Sequence, residues 1–306
     1  MLNRRILRIK AFKVLYAYAE NPTLTLNQAL GSLDISLEAT RDLYLYMLMV
    51  IPALKAEAAR RIDAARGKFN PTEEDLHPNL KFVRNGISAL LEEDPDFQRI
   101  ILKKKFSWEQ NDAFVHSLYE TLKTRSYYQE YMQAESQSLK EDAALWVHIF
   151  EEEFEDSPEL AQILEDLSIY WADDLPYVLL CCIRTLEELG RGGRWSMPPL
   201  CQSDAHDFVR KLLSTAFGNY AQYSALVAES VPKWDLDRLY VTDIVLIALG
   251  LAEAETFPEI PLKVSINEYV EISKYYSTPK SRSFVNGLLD RLIKERIQKG
   301  IISKTV

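Results

Sequence analysis

Apolar residues recur along this chain at three- and four-residue spacings, and strict alternation over several residues is scarce. That period belongs to helices burying one stripe each, and it predicts an all-α protein. In the opening segment, Leu7, Ala11, Val14, Leu15 and Tyr18 fall on one face of a helix from about Arg4 to Glu20, which "ENPT" ends. A short helix near 26–33 and a longer one over 37–65 follow. "GKFNPTEEDLHPN" (67–79) reads as a linker. Helical spacing resumes near 80–93, 96–105, 108–135, 138–155, 158–170 and 172–189. "LGRGGRWSMPP" (189–199) is the sharpest break in the chain and reads as a flexible linker. Helices are then expected near 204–229, 235–254, 265–276 and 279–299.

Composition agrees. The 306 residues are 47% hydrophobic, enough for one or two domains, with only 10 Gly and 13 Pro. The longest apolar runs, such as "YVLLCCI", fall far short of the ~20 residues a membrane helix needs. "MLNRRILRIK" is basic but lacks a signal peptide's apolar stretch. Three Cys, with Cys181 and Cys182 adjacent, make no disulfide framework, so a reducing cytoplasm is expected. A faint internal echo links "DAFVHSLYETL" (112–122) to "HDFVRKLLSTA" (206–216).

Charge changes the picture. The net charge is −9, yet residues 1–16 hold five Lys/Arg and no acid, and residues 262–306 hold nine against four acids. Basic residues gather at the two ends, and salt screens distant acids from such patches. On the opening helix Arg4, Arg5 and Arg8 flank the apolar stripe on one side, Lys10 and Lys13 on the other. Near the other end, Ser265 with Glu268 three residues later reads as a capping box starting a helix. Thr278-Pro279 reads as the N-cap and first residue of the next helix. That helix start, with Lys280, Ser281 and Arg282, offers unpaired amides and positive potential to a phosphate. Gly287, costly within a helix, is expected to lie against another backbone. The plainer readings of these charges are a solvated turn and a wet helix flank. Elsewhere, His148 with Glu151 and Glu152 has a spacing that can ligate metal but lacks a further ligand, and "EEEFED" (151–156) reads as a solvated face. No phosphate-binding loop, dinucleotide fingerprint or nucleophile elbow is present.

"NRRILRIKAFKVLYAY", with its Arg-rich start and Ala11…Leu15-Tyr16 pattern, resembles the opening helix of the NusB family of bacterial transcription antitermination factors. "HDFVRKLLSTAFGNYAQYSALVAE" is similar to the family's third helix, and "WDLDRLYVTDIVLIALGLAE" to the one after it. The most discriminating stretch is "PEIPLKVSINEYVEISKYYSTPKSRSFVNGLLDRL", where Ile266-Asn267-Glu268 precedes Phe284-Val285-Asn286-Gly287 at family spacing. The resemblance covers about 1–33 and 204–303. It implies a NusB-like helical bundle of two small subdomains built from 1–33 and 204–306. Residues 34–203 are then an insertion or a rearranged N-terminal half.

The resemblance further implies a non-catalytic factor without cofactors that binds boxA-type nascent RNA with the small-subunit ribosomal protein NusE. The complex would act on the RNA polymerase elongation complex with other Nus factors, away from membranes. By the same resemblance Arg4, Arg5, Arg8 and Lys10 are the RNA-binding segment, joined by Ser281, Arg282 and Phe284. Lys280 stands where relatives carry an acid, and Lys13 extends the basic flank. Tyr16, Tyr18, Tyr276 and Phe284 are candidates for stacking on bases, with core packing as the alternative. Two other functions compete: a protein scaffold that has lost RNA binding, and an accessory domain of a ribosomal RNA methyltransferase. The second lacks its cofactor loop and catalytic domain here.

Overall fold

A computed structural model describes residues 2–231 and 239–304. The chain forms α1 (Arg4–Glu20), α2 (Leu26–Leu48), α3 (Val50–Arg66), α4 (Glu73–Leu76), α5 (Gly86–Glu93), α6 (Pro95–Lys104), α7 (Asp112–Leu122) and α8 (Ser126–Gln133). These are followed by α9 (Leu139–Glu152), α10 (Pro158–Leu167), α11 (Leu175–Gly190), α12 (Ser203–Gly218), α13 (Tyr220–Ser230), α14 (Val241–Thr256), α15 (Leu262–Tyr276) and α16 (Ser281–Gln298). The fold is all-α, with no strand among the described residues. Two compact units result, one from residues 1–37 and 199–306, the other from 38–198.

The first unit is built around α14, in which every residue from Val245 to Ala254 is buried. A helix apolar on all sides belongs in the middle of a bundle, and α1, α12, α13, α15 and α16 all pack on it. Gly250 marks the α14–α16 crossing: a Cβ there would lie 2.6 Å and 2.9 Å from the Leu289 methyls. The amino end is tied in, the Leu2 amide donating to the Leu200 carbonyl (2.7 Å) just before α12. Asn3 caps α1 by accepting from the Ile6 amide at 3.0 Å.

In the second unit α9 and α11 form the closest pair, and Gly190 permits it, since a Cβ there would lie 2.5 Å from that of Ala143. Trp146 is fully buried and donates its indole N–H to Asn85 (2.9 Å), which in turn caps α5. Tyr46, Trp108, Trp171 and Phe114 form a stacked aromatic cluster.

Several expected boundaries move. The helices expected at 26–33 and 37–65 are instead one helix to Leu48 and a second from Val50. Pro52 causes the break, because it has no N–H for the Leu48 carbonyl. "LGRGGRWSMPP" is not a free linker. Gly192, at φ 83°, closes α11 while the Gly193 amide donates to the Glu188 carbonyl (3.0 Å). Trp195 is then buried, its ring 5.0 Å from Phe97 and its N–H on the Tyr44 hydroxyl. α15 begins at Leu262, so Ser265 and Glu268 lie inside it and form no capping box. α16 begins at Ser281 with Lys280 at the N-cap position, two residues later than Thr278-Pro279 suggests. Gly287 meets no neighbour: a Cβ there would find open space within 4 Å. The two echoed segments are not equivalent in packing, since α7 packs on α3 and α12 on α1 and α14. The start of the helix expected at 235–254, with Trp234 to Arg238 of its motif, lies outside the described residues.

Candidate nucleic-acid interface

The candidate residues lie on the N-terminal helix and on the last two helices of the first unit. Three contacts bring α1 against α15. Arg5 donates from Nε and Nη2 to the two carboxylate oxygens of Glu268, at 2.9 Å and 2.8 Å. Phe12 packs its ring 5.2 Å from that of Tyr276. The Lys13 ammonium lies 5.8 Å from the same tyrosine ring, within cation–π range. From Tyr276 only four residues lead to Lys280, so the basic turn stands within about 14 Å of this packing.

The acids missing from the opening helix come from distant parts of the chain. Arg4 donates to Asp204 at 2.9 Å and lies 5.0 Å over the Phe208 ring. Arg8 is buried, with Nε and Nη2 on Glu253 at 2.7 Å and 2.8 Å, and Nη1 3.6 Å from Glu268. Glu253 is itself wholly buried and also accepts from the Ser265 (2.7 Å) and Tyr269 (2.9 Å) hydroxyls. Four donors therefore satisfy one carboxylate in the core. Burial opposes the Arg8 charge, but Glu253 outweighs it and holds the guanidinium above its ordinary pKa. Hydrogen bonds from Arg5 pull the Glu268 carboxyl below its usual range, against a smaller effect of burial.

These pairings sort the expected residues. Arg8 and Lys10 are buried inside the unit, so their side chains are not on the surface that would meet RNA. Arg4, Arg5 and Lys13 keep part of their surface in solvent, and Tyr16 is exposed beside Phe12. Tyr18 packs on Phe217 (4.0 Å) and Tyr220 (5.7 Å), and Tyr276 on Phe12; both are half-buried in side-chain packing.

At the turn, Lys280 and Arg282 are exposed and form no salt bridge among the described residues, although the Arg282 charge reaches the Glu271 carboxylate. The first turn of α16 contains no acid of its own, and the nearest carboxylate is that of Asp243 on α14. Ser281 is buried instead of facing out. Its hydroxyl donates to Asp243 at 2.9 Å, beside the Ser277 hydroxyl donating to the other oxygen at 2.6 Å. Burial raises the Asp243 pKa, opposed by these two hydroxyls. Ser281 therefore fixes the turn to α14. Phe284 is half-buried and lines, with Tyr240, Asp243 and Lys280, a cavity of about 670 Å³ at the helix start.

Sequence reasoning missed the carboxylates Asp204, Glu253 and Glu268, and also Tyr275, which is 81% exposed immediately before Tyr276. Glu268 was visible in the Ile-Asn-Glu motif but carried a local capping role there. In the second unit His148 stacks on Tyr127, and among the described residues no three His, Cys, Asp or Glu side chains converge as a metal site.

Comparison with known proteins gives a family match over residues 197–294, to the NusB family. Among curated relatives, a transcription antitermination protein NusB of Chloroherpeton thalassium is 38% identical over 101 residues, 33% of this chain and 48% of that protein. One from Listeria monocytogenes serotype 4a is 32% identical over 96 residues, 31% of this chain and 75% of the relative. One from Salinibacter ruber is 31% identical over 99 residues and covered to 62%. The chain thus spans about half the length of the first of these. No solved structure matches. The family match does not include α1; the link from α1 to the matched helices is the packing described above.

Proposed function

Given that the chain belongs to the NusB family, we propose that it is an RNA-binding transcription antitermination factor. Its ligand is single-stranded, boxA-type nascent RNA, bound together with the ribosomal protein NusE and delivered to the elongating polymerase with other Nus factors. The observation that carries this reading is the seating of α1 on α15, which puts Lys13 against Tyr276, four residues before Lys280, and Arg5 on Glu268 of the same helix. Phosphates are held by the exposed cations and by the start of α16. Bases stack on exposed aromatic faces, with Tyr16 and Phe284 lining the path.

Arg8, Lys10 and Ser281 act from inside, holding α1 and the turn in place. The reading assigns binding and no catalytic step. Crosslinking of boxA-type RNA to the full chain, with and without NusE, tests it. Labelled peptides from both 4–13 and 276–286 are expected. Binding should weaken steeply with salt, the slope of log K against log salt being about −0.7 for each phosphate held. Crosslinks confined to residues 38–198, or a slope near zero, would overturn it.

A further inference from the structure

The two units differ in charge. Residues 38–198 carry 18 Lys/Arg against 30 Asp/Glu, a net −12, whereas the rest of the chain carries 18 against 15. The repulsion of RNA phosphates by such a surface leaves the second unit without a place in the RNA-binding reading. It nevertheless has a hollow of about 590 Å³ between α3, the end of α5 and the start of α7.

The floor of the hollow is apolar, made by Pro52, Ala53, Ala56, Trp108 and Val115. Trp108 has already given its indole N–H to the Tyr46 carbonyl (3.0 Å) and has no donor left to offer. Against one cation, Arg60, the rim carries four acids, Glu57, Glu92, Glu109 and Asp112. Two of these are neutralised from within, Glu57 by Arg60 and Arg61, and Glu92 by Lys55. Glu109 and Asp112 are exposed and have no basic partner among the described residues. They stand three residues apart at the start of α7, above the apolar floor.

We propose that this hollow docks a lysine- or arginine-rich segment of a partner polypeptide. The occupant follows from the two surfaces. An aliphatic floor under unpaired carboxylates matches a side chain with a hydrocarbon stem and a cationic head. A net −12 field draws such a chain in and sets its orientation. A neutral or acidic helix would leave Glu109 and Asp112 buried without counter-charge.

The test uses the full chain and a dye-labelled, lysine-rich peptide followed by fluorescence anisotropy. Two double variants are compared: Glu109→Gln with Asp112→Asn at the hollow, and Glu151→Gln with Glu152→Gln on an exposed acidic face elsewhere. The expected result is one bound peptide per chain, weakened about fivefold by the hollow variant and less than about twofold by the control. Thermal melts check that both variants stay folded. Absence of binding, or equal weakening by both variants, overturns the proposal. So does displacement of the peptide by spermine at equal charge concentration, because the hollow would then hold any polycation and not a polypeptide in particular.

Discussion

Glu253→Gln is the sharpest single change available in the first unit. It keeps the side-chain volume but removes the charge facing Arg8, and it turns an amide N–H₂ toward four donors: two from Arg8, one each from Ser265 and Tyr269. The guanidinium is then left buried, with only Glu268 at 3.6 Å as an anion. Removing one partner of a buried pair costs about 3–5 kcal/mol. Partial relief from Glu268 puts the expectation near the lower end, about 3 kcal/mol. Urea denaturation of the full chain, with probes in both units, measures it in the first unit's transition. The double variant Arg8→Met, Glu253→Met removes both charges and should recover part of the loss, because it leaves no uncompensated ion but strips the Ser265 and Tyr269 hydroxyls of their acceptor. RNA affinity of the refolded double variant should then match the parent, as Arg8 does not reach the surface. A loss under about 1 kcal/mol for the single change would refute the buried-pair argument. A double variant that folds well yet binds RNA tenfold more weakly would refute the assignment of Arg8 to the interior.

Further outcomes follow from particular residues. Gly287→Ala should raise stability by about 0.5–1 kcal/mol, since the helix gains propensity and the new methyl meets only solvent; a melting temperature that falls would contradict it. Gly250→Ala should cost about 1–3 kcal/mol by driving a methyl into Leu289, read by the same denaturation curve. Lys280→Asp should weaken RNA binding and make the salt slope shallower by about 0.7, measured by filter binding across salt concentrations. Because Glu268 has its folded pKa lowered from 4.5, the stability it contributes is full above about pH 4.5 and is lost as pH falls through the lower folded value. Side-chain NMR titration of Glu268 in the parent and in Arg5→Ala reads this directly, the variant returning toward 4.5.

Helix content was legible because stripes such as Val285, Leu288, Leu289 and Leu292 announce themselves by spacing alone, and all four are buried. Helix ends were less so. Ser265 and Glu268 satisfy the capping pattern, but the chain had already turned helical at Leu262 after Pro261, and each side chain found a better partner outside its own helix. The expected helices near 26–33 and 37–65 miss that the first runs unbroken to Leu48, with Gly31 inside it in open space. At the interface, the cations were readable and their fates were not. Arg8 and its acid are 245 residues apart, and no local rule joins them. Exposure separates Lys280 and Arg282 from Arg8 and Lys10, and exposure is a property of the assembled bundle.

That separation matters while the chain is being made. At about 5–20 residues per second, Arg8 leaves the ribosome roughly 12–50 s before Glu253 exists. The 38–198 segment is contiguous and complete by then, whereas the helix bearing the arginines must wait for α12 and then α14 to cover it. A ribosome that stalls before α14 therefore releases a nascent chain with a settled acidic half and a bare cationic arm, a species prone to capture by any polyanion at hand. Completion of α14 and α15 is the event that withdraws Arg8 from that competition.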